Sequence, residues 1–227
     1  MESHLPARFP PPRSLRRHRV YPVSRAGHHQ LLLLVLISLL PATGGGQERL
    51  EEDAGQVRVG QFWIDRYEYP NIAGQTPRVD VTWEEARQLC ADRGHRLCSE
   101  AEWEQACRGQ GNLEFGYGGE FEPRRCNTPW QDGDRWVRSG GPAASGDYEG
   151  CSTPDGVHDM IGNVWEWTDG WYDRASGWRV VRGGSWFHSV NYSRADGRYG
   201  RHLTHDYSLD LIGFRCCRSG ESGARAD

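Results

Sequence analysis

Chemistry in this chain would have to come from its cysteines, histidines and paired carboxylates. The seven cysteines are Cys90, Cys98, Cys107, Cys126, Cys151, Cys216 and Cys217. No two of them show the C-x-x-C spacing of a zinc site or a thioredoxin-type centre, so the expectation is disulfides in an oxidising compartment, with one thiol left over. Residues 186–208 (WFHSVNYSRADGRYGRHLTHDYS) mix aromatics with Asn, Ser, Asp, Arg and His. Rigid aromatic contact area beside adaptable hydrogen-bonding groups is the composition of a binding surface. Arg194 and Arg198 are its candidate anchors for carboxylates or polar peptide groups. His188, His202 and His205 could be imagined on a metal, but histidines scattered in a polar loop are more often solvated or hydrogen-bonded.

The elements that must position these residues are partly written out. Thr82-Trp83-Glu84-Glu85 is a capping box that starts a helix, with Trp83, Ala86 and Cys90 on its inner stripe and Gly94 placed to stop it. Ser99-Glu100-Ala101-Glu102 is a second box, with Trp103, Ala106 and Cys107 facing inward and Gly109 as the stop. An aromatic-rich strand is expected over 61–69, ended by Pro70 and Asn71, and further short strands at 163–168, 178–182 and 213–217. From 109 to 158 the sequence reads as mostly loop, rich in Gly, Pro and Asp, and a loop region that long needs pinning by disulfides or ions. No internal repeat is visible.

Composition narrows the function classes. Ten Trp, 9 Tyr, 6 Phe and 29 Gly in 227 residues, without long apolar periodicity, argue against a helical bundle or coiled coil. The net charge is −4, and the first thirty residues hold six Arg against one Glu, so the body is acidic and no nucleic-acid partner is expected. Residues 31–40 (LLLLVLISLL) follow that basic, Pro-containing stretch and precede small residues near Gly44. Ten helical residues span about 15 Å, half of a bilayer core of roughly 30 Å, so the pattern reads as a signal peptide over 1–44 and no transmembrane anchor. The expected plan is then a linker over 45–56, one domain over 57–219 and a loose tail over 220–227, in a chain that is exported to the periplasm or outside the cell.

Six motifs in one order carry a resemblance. They are FWID with Tyr67-Glu68, VTWEEA at 81–86, RLCSEAEWE at 96–104, GVHDMIGNVWEW at 156–167, RVVRGGSW at 179–186 and IGFR at 212–215. Together these resemble the formylglycine-generating enzyme, or sulfatase-modifying factor, family over most of 57–218. The resemblance implies an α+β, complex C-type-lectin-like fold with two short helices, short strands and much irregular loop. The Trp and Gly residues of these motifs are scaffold first, and function has to be argued from a site.

Oxidase members of the family carry two cysteines after the RGGS-aromatic motif that hold copper(I) and exchange with a substrate cysteine. Soft thiolates are what that chemistry requires. Matched to this sequence, those positions are His188 and Ser193, and no cysteine lies between 151 and 216. Copper is therefore not expected. The resemblance implies instead a non-catalytic module that binds a protein, a peptide or a small polar ligand, with Trp186, His188, Tyr192, Ser193, Arg194 and Arg198 as candidate contacts. The alternatives are an oxidoreductase acting on a protein cysteine and a diversified lectin-like binding protein. The resemblance also implies a Cys90–Cys216 disulfide and a structural calcium held by Asp159, Gly162, Val164 and Glu166. Cys126 with Cys151 would tie down the loop-rich middle, while Cys98, Cys107 and Cys217 compete for what remains. The family's partner for Cys107 would fall at Arg198. For the carboxylates the alternative is that Asp159 caps a turn and Glu166 pairs with an arginine.

Overall fold

Both helices begin where the capping boxes place them. In the computed structural model, which describes residues 55–220, α1 runs Trp83–Ala91 and α2 runs Glu100–Arg108. Thr82 Oγ1 accepts from Glu85 N and Ser99 Oγ from Glu102 N, while each N3 glutamate accepts from its N-cap backbone, so both boxes are reciprocal. The helix α2 stops at Gly109, and α1 passes into a turn at Asp92 ahead of Gly94. The expected signal peptide, all but the last two residues of the linker, and the tail beyond Gly220 lie outside the described residues.

The strands form three sheets. β1 (Gln56–Val59), β2 (Phe62–Asp65), β10 (Cys216–Ser219) and β3 (Arg96–Leu97) make an antiparallel sheet in the order β1-β2-β10-β3. β4 (Trp130–Asp132) and β5 (Arg135–Val137) form a separate hairpin. β6 (Trp165–Asp173), β7 (Trp178–Arg182), β8 (Arg198–Tyr199) and β9 (Ile212–Phe214) make the third, in the order β8-β7-β6-β9, with β6 and β9 parallel.

Two expectations need correcting. The strand expected over 61–69 ends at Asp65, because Asn71 turns the chain back, its Oδ1 accepting from Tyr67 N and its Nδ2 donating to Gly55 O. The expected strand at 213–217 is two strands in two sheets, divided at Arg215, whose side chain is wholly buried. The mostly irregular stretch 109–158 contains one short hairpin, β4–β5, turning at Gly133.

β6 stands between two cores. Period-two alternation sends Trp165 and Trp167 into one, with Val81, Leu97, Ile212 and Phe214. Glu166 faces the other, which contains Trp103, Ile64, Val157 and Met160. Disulfides join Cys90 to Cys216, Cys98 to Cys217 and Cys126 to Cys151, and Cys107 is a buried free thiol. The adjacent Cys216 and Cys217 thereby fasten the last strand to the end of α1 and to the start of α2. No helix among the described residues is long and apolar enough to cross a membrane.

Candidate functional site

Glu166 is buried and fully engaged. Arg215 Nε donates to its Oε2 and Nη2 to its Oε1, both at 2.7 Å, and Trp103 Nε1 donates to Oε2 at 2.8 Å. The Glu166 and Arg215 side chains are 1% and 0% exposed. Burial alone would lower the Arg215 guanidinium, but the Glu166, Glu68 and Asp159 carboxylates more than reverse that. Glu166 thus pairs with an arginine, the alternative left open by the sequence.

Asp159 is differently placed. Its Oδ2 accepts from Gly146 N at 2.7 Å, and burial pushes its carboxyl up to about 6. Glu68, also buried, is raised well above the usual carboxylate range, by desolvation first and by Asp159 second. Glu68 accepts from Ser145 Oγ at 2.7 Å and Asn163 Nδ2 at 2.8 Å. Gly162 enters the turn at φ 81, where a side chain would meet the Asn127 carbonyl.

The segment after the double glycine forms an aromatic face. Gly184 has φ 77, and a Cβ there would collide with Ser193 Oγ, so this turn admits only glycine. Trp165 Nε1 donates to His188 Nδ1 at 3.0 Å, and Ser185 Oγ lies 3.0 Å from the same nitrogen. An indole N–H can only donate, so Nδ1 is the acceptor and the neutral ring carries its proton on Nε2. Burial, then the Arg138 guanidinium, hold His188 below its usual value and keep it neutral. The His188, Tyr192 and Tyr199 rings surround the Trp165 ring at centroid distances of 5.6, 5.8 and 6.1 Å. Phe187 and Tyr192 are 43% and 38% exposed.

The structure brings only part of the expected set to this face. His188 and Tyr192 are there, and half-buried Trp186 packs edge-on to Phe187 at 5.6 Å. Ser193 is fully buried beneath it, its Oγ without a hydrogen-bond partner, and is corrected from ligand contact to interior residue. The two expected anchors are corrected as well. Arg198 forms a two-pronged pair with Glu100, and Arg194 pairs with Asp196 and Glu114. Sequence reading does not single out Tyr199, which β8 pairing with β7 brings to the face, or Tyr172 near the end of β6, whose ring lies 6.4 Å from that of Tyr199. It misses Arg138 too, which arrives from the end of the β4–β5 hairpin and donates from Nε to Phe187 O at 3.0 Å. No linear spacing connects those positions.

All seven cysteines lie within the described residues. Six are oxidised in pairs. Burial drives the Cys107 thiol far above its ordinary value, the Glu166 charge adding to it. No cysteine therefore presents an accessible thiolate.

Two short capped helices, a lone hairpin, two four-stranded sheets and long pinned loops define a formylglycine-generating-enzyme-like scaffold. The solved structure of PvdO from Pseudomonas aeruginosa shares the fold, with a TM-score of 0.55 at 19% identity over 70% of this chain and 80% of that one. Residues 69–220 match the sulfatase-modifying factor enzyme 1-like domain, and the chain belongs to that family. It is 38% identical over 156 residues to the inactive C-alpha-formylglycine-generating enzyme 2 of Bos taurus, covering 62% of this chain and 49% of the relative. It is 31% identical over 163 residues to the formylglycine-generating enzyme of Mus musculus, covering 62% and 43%. The chain thus spans about half the length of these curated relatives.

Proposed function

We propose that this chain is a non-catalytic binding module on the formylglycine-generating-enzyme-like scaffold, exported, with its ligand face formed by the segment from Trp186 to Tyr199. The observation that carries this reading is the fate of the cysteines: three disulfides and one buried thiol leave no thiolate to hold copper(I) or to exchange with a substrate cysteine. His188 does not substitute for one. Its Nδ1 is occupied by Trp165, and the Nε2 lone pair is used by a proton. The relatives named inactive support the same reading. Export is supported by the three disulfides, which persist in oxidising compartments.

A structural calcium belongs to the same proposal. Asp159 with the Gly162 and Val164 carbonyls would supply hard oxygen donors, and the mutual repulsion of buried Asp159 and Glu68 is what a divalent cation would relieve. Glu166, paired with Arg215, would share a carboxylate oxygen with the ion.

The binding reading is tested by incubating the protein with copper(I), oxygen and a cysteine-containing sulfatase peptide. No loss of peptide thiol beyond the protein-free control is expected, and protein-dependent thiol turnover would overturn it.

A further inference from the structure

Resting on the binding-module reading, we propose that the face between Phe187 and Tyr192 is a carboxylate site, with His188 and Arg138 as its two donors. Of the arginines bordering this face, Arg182, Arg194 and Arg198 are committed to Glu104, Asp196 and Glu100 respectively. Arg138 is not. Among the described residues its side chain makes one hydrogen bond, from Nε to the Phe187 carbonyl, and its guanidinium lies over the Phe187 ring with Cζ 4.5 Å from the centroid. That arrangement leaves both terminal nitrogens without a hydrogen bond among the described residues, available to an incoming acceptor.

The second donor follows from the tautomer. With Nδ1 accepting from Trp165, His188 offers an N–H at Nε2, and no hydrogen bond to Nε2 exists among the described residues. A ring locked this way cannot accept through Nε2, so it selects ligands that bring an acceptor. Phe187 and His188 stand edge-on at 5.6 Å, and His188 and Tyr192 at 6.5 Å, so the donors sit beside two partly exposed aromatic residues. A guanidinium with a neutral N–H suits a carboxylate, and the flanking rings suit an aromatic or other flat apolar group bonded close to it. A free small acid and the C-terminus of a peptide share that chemistry.

The experiment uses the isotopically labelled full chain and four probes: N-acetylphenylalanine, its primary amide, a short peptide ending in free phenylalanine, and the same peptide amidated. The free acids should move the backbone resonances of Phe187, His188 and Ser189, and the amides should not. Arg138→Gln should weaken acid binding about tenfold, as loss of a charge-assisted hydrogen bond does. His188→Gln, which keeps a donor, should bind better than His188→Ala, with resonances elsewhere unchanged in all three variants. Long-range nitrogen–proton spectra should show the His188 proton on Nε2. Tighter binding of the peptide acid assigns the site to chain termini; tighter binding of the small acid assigns it to free carboxylates. Equal shifts with acids and amides would overturn the carboxylate assignment while leaving the binding-module reading intact. Absence of shifts with every probe would overturn the site itself, whereas thiol turnover with copper would overturn the underlying reading alone.

Discussion

At the scale of single residues, burial decides which charges matter. Glu166→Ala strands the wholly buried Arg215 guanidinium and should cost about 3–5 kcal/mol, read from the denaturant midpoint. Arg198→Ala breaks an exposed pair and should cost less than about 1 kcal/mol by the same measurement. His188 provides a pH signature. Its folded value is lowered by burial and by Arg138, so the folded chain binds fewer protons than the unfolded one as pH falls past about 6.5. Its contribution to stability is present above that pH and lost below it, and His188→Gln should flatten that part of the stability profile. An NMR titration in which His188 protonates at or above the free imidazole value would contradict the Trp165 lock.

At the scale of elements, the helices were legible in the sequence and the sheets only partly so. Capping boxes are local: Thr82 with Glu85 and Ser99 with Glu102 specify their own geometry within four residues, and both formed. Ser99→Ala should therefore cost about 1 kcal/mol of stability in thermal or denaturant unfolding. The aromatic face is non-local. Tyr199 reaches it through pairing with Val181, and Arg138 through a hairpin whose loop-like sequence concealed it. Arg194 and Arg198 misled for the complementary reason. Their type and spacing suggested anchors, but Glu114 and Glu100, far away in sequence, had already neutralised them. The Cys126–Cys151 bridge follows the need to pin the middle loop. Replacing both cysteines by Ala should destabilise by about 3.5 kcal/mol on the chain-entropy estimate for a separation of 25.

At the scale of the molecule, the two cores meet across β6, and its alternation places the Trp165 face and the Glu166 ion pair back to back. The family scaffold is retained around the aromatic face of His188, Tyr192 and Tyr199. If the Asp159 turn takes calcium, saturating ion should raise the melting temperature and chelator should lower it, with the response absent in Asp159→Ala. An unchanged wild-type melt would remove the ion. The binding-module reading holds that this chain does not take up copper(I), and an anaerobic titration of the full chain with that metal decides it. The titration should use a non-thiol reductant that spares the disulfides and a competing chelator of known affinity. The chelator should retain all the metal, at wild type and at His188→Ala alike. Stoichiometric withdrawal of copper(I) by the wild-type chain, abolished by His188→Ala, would contradict the claim.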